Sequence, residues 1–236
     1  KERAAEDSLY ISDSWNVADR LSIDLGLRYT FYSAFGPKNW YKYGNEIRDE
    51  SSITDTVFTP AGSMVKPYHY PEFRISARYS LTDNLSFKAG FNSMKQYIHM
   101  LSNTSSVSPT DIWKLSDANI EPQNGWQAAG GLYSNIFGSK VELSVEGYYK
   151  KMNNYLDYKS GAILNMNESI ERDVLKTTGR AYGIEVLAKK PLGKLNGWLS
   201  YTYSRTQLRE SGEKESYSVN GGDWYNAAYD KPHDIK

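Results

Sequence analysis

The sequence predicts an all-β fold, an antiparallel transmembrane β-barrel segment of about eight or nine strands with short turns at one rim and long loops at the other. Three observations predict it. Apolar residues recur at every second position in stretch after stretch, the mark of strands with one apolar and one polar face. The connections between these stretches alternate short and long along the whole chain, as they do in a membrane barrel. Aromatics make up 14% of the 236 residues, with 20 Tyr and 6 Trp, and Tyr and Trp accumulate where one end of a side chain must be apolar and the other wet.

The elements follow in order. Leu9, Ile11, Trp15 and Val17 give a first strand, interrupted on its apolar face by Asp13. After a turn at 18–20, Leu21, Ile23, Leu25, Leu27, Tyr29 and Phe31 alternate with Ser22, Asp24, Gly26, Arg28 and Thr30. Residues 33–71 hold no strand pattern and are rich in Gly, Pro, Ser and Asp, so they are predicted to form a long loop. The clearest hairpin comes next. Phe73, Ile75, Ala77, Tyr79 and Leu81 alternate with Arg74, Ser76, Arg78 and Ser80. Beyond a turn at 82–84, Leu85, Phe87, Ala89 and Phe91 alternate with Ser86, Lys88, Gly90 and Asn92. Asp83 and Asn84 suit a tight turn because both tolerate left-handed backbone angles.

Residues 93–122 are a second predicted loop, with room for a helical turn within Met94–Leu101. Trp126, Ala128, Gly130 and Leu132 begin a strand whose facing is ambiguous, since Ala129, Gly131 and Tyr133 fit almost as well. A turn at 136–139 leads to Val141, Leu143, Val145, Gly147 and Tyr149 against Glu142, Ser144, Glu146, Tyr148 and Lys150. Residues 151–178 are a third loop. Tyr182, Ile184, Val186 and Ala188 alternate with Gly183, Glu185, Leu187 and Lys189; after a turn at 191–197, Leu199, Tyr201 and Tyr203 alternate with Trp198, Ser200, Thr202 and Ser204. Residues 209–230 form a fourth loop, and 231–236 open another strand. Each arm is about nine residues, enough for a tilted strand to cross a bilayer. Tyr29, Phe31, Phe91, Tyr149 and Tyr203 fall near the long-loop rim and Trp15, Phe137 and Trp198 near the short-turn rim, a pattern of two aromatic girdles.

The composition bounds the function. Lys and Arg (28) balance Asp and Glu (28), which leaves no electrostatic footprint for nucleic acid. The chain has no Cys, so thiolate metal sites and disulfides are excluded. No apolar run reaches the roughly 18 residues of a spanning helix, as expected of a barrel whose alternation hides its membrane signal. The first residue is Lys1 rather than Met, and the last residues read as a strand beginning. These features predict that residues 1–236 are an internal piece of a longer barrel. His69, His99 and His233 lack ligand spacing, and no metalloprotease, nucleophile-elbow, phosphate-loop or EF-hand motif occurs, so neither enzyme activity nor a cofactor is expected.

Several runs resemble the barrel of TonB-dependent outer-membrane receptors. They are Tyr10 to Trp15 with Asp19-Arg20-Leu21 and Gly26-Leu27-Arg28-Tyr29, Tyr182-Gly183-Ile184-Glu185, Gly197 to Ser204, and Tyr229 to Asp234. Ala118-Asn119-Ile120-Glu121-Pro122-Gln123 is similar to a segment that precedes a barrel strand in the family, although here the acid comes before the proline. The style of the turns is closest to members from Bacteroidetes-like bacteria. The resemblance covers essentially the whole chain. It implies a location in the bacterial outer membrane, a barrel of about 22 strands, an N-terminal plug that this chain does not show, and import driven by a TonB complex. It also implies contact with membrane lipid and lipopolysaccharide, a nutrient ligand such as a siderophore, oligosaccharide or peptide, and in some members a surface lipoprotein partner.

Two sets of residues are the candidates for function. Arg28, Arg74, Arg78, Lys88, Glu142, Glu146 and Glu185 are expected to face the lumen, because charge on the lipid side of a barrel is costly. They would solvate the wall, pair across strands or meet the plug. Trp40, Tyr41, Tyr43, Tyr68, Tyr70, Trp113, Trp224 and Tyr225 fall in the predicted loops, where rings beside Asn and Asp suit a sugar, siderophore or peptide. Their alternative role is to pack the long loops, which need some core of their own. The rival readings of the whole are a soluble carbohydrate-binding β-sandwich and a passive porin.

Overall fold

The computed structural model describes residues 2–45, 48–101, 112–138, 140–159, 162, 167–211 and 219–236. The strands are β1 (Arg3–Ala18), β2 (Leu21–Phe35), β3 (Lys38–Tyr43), β4 (Ile53–Thr59), β5 (Met64–Thr82), β6 (Leu85–Gln96), β7 (Ile98–Leu101), β8 (Ile112–Leu115), β9 (Gln123–Ile136), β10 (Val141–Tyr158), β11 (Val174–Lys190), β12 (Gly197–Glu210), β13 (Tyr225–Asn226) and β14 (His233–Ile235). One sheet runs β1-β2-β5-β6-β9-β10-β11-β12-β13, with β14 also on β12. All its pairings are antiparallel. A sandwich would need a second sheet packed face to face against it. The only other sheets among the described residues are the small hairpins β3-β4 and β7-β8. The wall is therefore one layer thick.

The register settles the facing. Leu25 lies opposite Ile75, Ile75 opposite Phe91, Phe91 opposite Ala128, and Ala128 opposite Tyr149. Directly opposed residues share a face, so the ambiguous strand β9 turns Trp126, Ala128, Gly130 and Leu132 to the apolar side. This face stays open: Ile184 is 54% exposed and Leu132 49%, as expected of side chains that meet lipid. Asp13 shares it, opposite Leu25. Its carboxylate accepts the Ser14 amide at 2.9 Å and the Trp15 indole N–H, which tempers the charge. Trp198 departs from the predicted girdle. It sits opposite Lys189 and so on the polar face.

The predicted turns hold: Asp19–Arg20, Asp83–Asn84 and Phe137–Gly138 close hairpins, and 191–196 link β11 to β12. Phe137 (φ 53) and Gly138 (φ 65) are both left-handed, and the Lys140 amide donates back to the Ile136 carbonyl at 3.2 Å where the chain reverses between β9 and β10. The predicted loops are where the structure differs. β2 runs on to Phe35, β5 begins at Met64, and β3 and β4 form a hairpin between them. Pro67 and Pro71 hide β5 in the sequence. They are tolerated because β6 joins β5 only from Arg74 onward, so that stretch is paired on the β2 side alone. In place of a helical turn near 94–101, β6 continues to Gln96 and β7 starts at Ile98. β10 likewise extends to Tyr158 and β11 back to Val174. Residues 46–47, 102–111, 160–161, 163–166 and 212–218 of the predicted loops, and residue 139 of the predicted turn at 136–139, lie outside the described residues.

Burial concentrates at this long-loop end. Leu101, Ile120, Ile170 and Val174 form one small cluster, and Tyr32, Tyr68 and Tyr97 another. These clusters hold the extended hairpins above the wall.

Candidate functional site

The polar face of β2 and β5 carries Tyr32 opposite Tyr68 and Thr30 opposite Tyr70. Tyr97, just past β6, stacks on Tyr32 with centroids 4.5 Å apart and planes at 12°. Tyr68 and Tyr70 stack at 6.2 Å. Lys95 lies 4.4 Å over the Tyr70 ring and Lys66 5.1 Å over Tyr68. Tyr68 and Tyr70 are therefore strand residues of the wall, not loop residues.

The phenols fasten the segment between β8 and β9. Tyr32 donates to the Ser116 carbonyl at 2.9 Å and Tyr68 to the Asp117 carbonyl at 2.7 Å. Asp117, 4% exposed, anchors the segment further. Its Oδ2 accepts Lys38 at 2.5 Å and Lys114 at 2.7 Å, and its Oδ1 accepts the amides of Asn119 and Ile120, both at 2.9 Å. Glu2 completes the cluster, accepting Lys38 at 3.0 Å, the Leu115 amide at 3.1 Å, and Lys114. Two cations thus meet two carboxylates. Burial raises the Asp117 carboxyl, but Lys114 and Lys38 outweigh it and hold it at about 2. Beside them His99 shares a hydrogen with the Ser116 hydroxyl across 2.8 Å. Burial, reinforced by Lys114, lowers its imidazole to about 4. A small cleft of about 140 Å³ opens next to the cluster, lined by Glu2, Ala34, Phe35, Lys38 and Asp117 among others. With its lone pairs filled, Asp117 is a fastener rather than an acid or base.

The other predicted aromatics do not converge on one point. Trp40, on β3, donates to the Thr59 hydroxyl at 3.2 Å. Tyr43 donates to Glu171 at 2.9 Å, and Arg172 lies 5.2 Å over the Tyr41 ring. Trp113, on β8, is 64% exposed. Tyr225 donates to Asp157 at 2.9 Å. Trp224 lies under Arg180 at 4.2 Å and Arg209 at 5.0 Å.

The predicted polar-face charges share one side of the sheet. Gly26 opposes Arg74, Arg78 opposes Lys88, and Glu146 opposes Glu185. Arg28 pairs with Glu6 at 3.4 Å, and Glu142 with Lys189 at 3.4 Å. Lys88 lies 4.1 Å over the Tyr133 ring. Such exposed pairs are weak, about 0–1 kcal/mol each. Among the described residues no cluster of His, Asp or Glu has a metal-binding arrangement.

Sequence reasoning did not single out Lys38, Lys114, Asp117, His99 or Ser116. Asp117 and Asn119 flank a local turn, but Lys38 is 79 residues away from Asp117, and no periodicity links them.

The family described as TonB dependent receptor-like, beta-barrel, matches residues 1–231. No curated protein sequence matches the chain. Among solved structures, the ferric-catecholate import receptor Fiu from E. coli K12 is similar with a TM-score of 0.61 at 13% identity, over 99% of this chain and 31% of that one. The copper transporter OprC is similar at 0.54 and 17% identity, over 88% of this chain and 33% of that one. The alcaligin outer-membrane receptor FauA from Bordetella pertussis is similar at 0.52 and 14% identity, over 88% and 31%. At these identities the similarity concerns the fold, and the chain spans 31–33% of the length of these structures.

Proposed function

Because this chain belongs to the TonB-dependent receptor β-barrel family of the bacterial outer membrane, we propose that it supplies part of the wall and outer loops of an energised importer for a bulky nutrient. The remaining strands, a plug and coupling to a TonB complex belong to this proposal, as does a surface lipoprotein that delivers the ligand. The wall's share of the length of its structural relatives supports the larger barrel.

One observation carries the reading. Tall hairpins rise from a polar-faced, single-layer wall and are held up by their own small cores, with Trp113 left 64% exposed at their surface. Rigid loops that present rings can hold a flat or sugar-like ligand by stacking before it enters the lumen. Tyr32, Tyr68 and Tyr97 are spent on packing. Trp113, Tyr41 and Trp40 are the rings available for capture.

The test uses the complete protein in its own bacterium. Uptake of the nutrients that support growth is measured with and without a proton uncoupler, and binding is measured on the purified protein. Uncoupler-sensitive uptake is expected, and Trp113→Ala with Tyr41→Ala should weaken binding about tenfold, as loss of aromatic contacts does. Uptake indifferent to the uncoupler would favour a passive porin. Unchanged binding in a folded double variant would remove the aromatics from the capture site.

A further inference from the structure

At one place on the short-turn rim, apolar side chains extend past the lipid band. The β1-β2 and β5-β6 connections are two residues long and the β9-β10 connection four, but β11 and β12 are joined by six, residues 191–196. This turn carries Leu192 and Leu195, each 78% exposed, and the neighbouring β9-β10 turn carries Phe137, also exposed. The register puts the two turns side by side: Asn135, Glu142, Lys189 and Trp198 are successive cross-strand partners from β9 to β12. Trp198 is exposed as well.

Lipid does not account for this patch. Leu192 and Leu195 each lie four residues beyond the last apolar residue of the lipid face on their strands, Ala188 and Leu199. Trp198 lies on the opposite, polar face with its partner Lys189. A bilayer covers one face of the wall, whereas this patch runs around the rim. The unpaired charges beside it share one sign. Lys140, Lys190 and Lys194 flank the two turns, and the Lys190 ammonium folds back toward Gly193 within the longer one. Lys189 and Lys236 are paired, with Glu142 at 3.4 Å and Asp234 at 3.1 Å. Among the described residues no carboxylate pairs with Lys140, Lys190 or Lys194. An exposed apolar centre with a charged border has the form of a protein-docking surface.

We propose that Phe137, Leu192, Leu195 and Trp198 form a docking surface for a periplasmic protein that presents an apolar pocket edged with carboxylates. The leucines and rings supply the buried centre of the interface, where a few large side chains carry most of the binding energy. The three free ammonium groups face the partner's carboxylates, which speeds the encounter and makes it sensitive to salt. The inference rests on the orientation in which the short turns face the periplasm and is independent of what the barrel carries.

The experiment takes the complete protein in its own bacterium, with a photo-crosslinking amino acid at Leu192 or, as control, at Asp83 in another turn of the same rim. Light should join the Leu192 probe to one protein partner and the Asp83 probe to none. The joined protein is then purified, and its binding to the complete receptor in detergent is measured. Leu192→Ser/Leu195→Ser should weaken that binding about tenfold. Lys140→Gln/Lys190→Gln/Lys194→Gln should weaken it about as much in dilute buffer and little at high salt, where the charges are already screened. Both variants should keep the heat-dependent gel mobility of the assembled barrel, and the lysine variant, which removes no apolar contact, tests the surface even if the leucine variant fails to assemble. A Leu192 adduct only with phospholipid, with another segment of the same chain or with a second copy would overturn the proposal. So would no adduct, an equal yield at Asp83, or a captured protein whose binding survives either variant unchanged.

Discussion

Asp117 shows how a single residue holds the loops. Its carboxylate is buried, and it survives as a charge because Lys38 and Lys114 both reach it. Removing one member of such a buried set leaves its partners uncompensated, at a cost of roughly 3–5 kcal/mol. Asp117→Ala is therefore expected to free residues 116–122, seen as faster limited proteolysis there, with the barrel still intact. The pH dependence has two stages. His99 is depressed from 6.5 to about 4, so its contribution is complete above pH 6.5 and is lost as the pH falls through 4. Asp117 is depressed from 3.8 to about 2, so its contribution is complete above 3.8 and is lost as the pH falls through 2. Hydrogen exchange of the Asn119 and Ile120 amides should therefore rise, relative to the unfolded rate, first between pH 6.5 and 4. His99→Gln should abolish that first stage and keep the second. An unchanged first stage in His99→Gln would assign it to another group.

At the scale of the element, the alternation of one strand decides which face meets lipid. On β6, Phe87 lies between Tyr79 and Leu132, and Lys88 between Arg78 and Gly131. Phe87→Arg places a cation among apolar neighbours on the lipid side, at a cost of about 2–4 kcal/mol if it lies near the midplane. Lys88→Leu on the other side costs far less. Folding yield, read from the heat-dependent gel mobility of the assembled barrel, should fall sharply for the first and little for the second. Leu25 is a poorer probe, because an arginine there would face Asp13 across the strand pair. Equal yields for the two β6 variants would contradict the facing.

For the molecule as a whole, the hairpins fix a topology. The turns at Asp19–Arg20, Asp83–Asn84 and Phe137–Gly138 lie at one rim, and the β3-β4 and β7-β8 hairpins rise from the other. Ser51 and Asp83 are both exposed, one at each end, and the chain has no native thiol. An impermeant maleimide on intact cells should label Ser51→Cys and spare Asp83→Cys until the outer membrane is breached. The opposite result would invert the barrel.

The sequence by itself determined what depends on neighbours along one strand. Side chains of a strand alternate by geometry, so the apolar pattern of Leu21 to Phe31 or Leu85 to Phe91 already names the lipid face, and Asp83-Asn84 already names a turn. The order of short and long connections follows from the same reading. Only the tertiary structure decided the facing of β9, whose small residues Ala128, Ala129, Gly130 and Gly131 leave no contrast until Phe91 and Tyr149 are set beside them. It also decided that Tyr68 and Tyr70 belong to the wall, since backbone pairing with β2 needs no apolar pattern and carries the strand past two prolines. The Lys38, Lys114 and Asp117 cluster was not legible for one reason. Electrostatic contact depends on distance in space, and the residues that meet there come from strands and loops that sequence spacing does not connect.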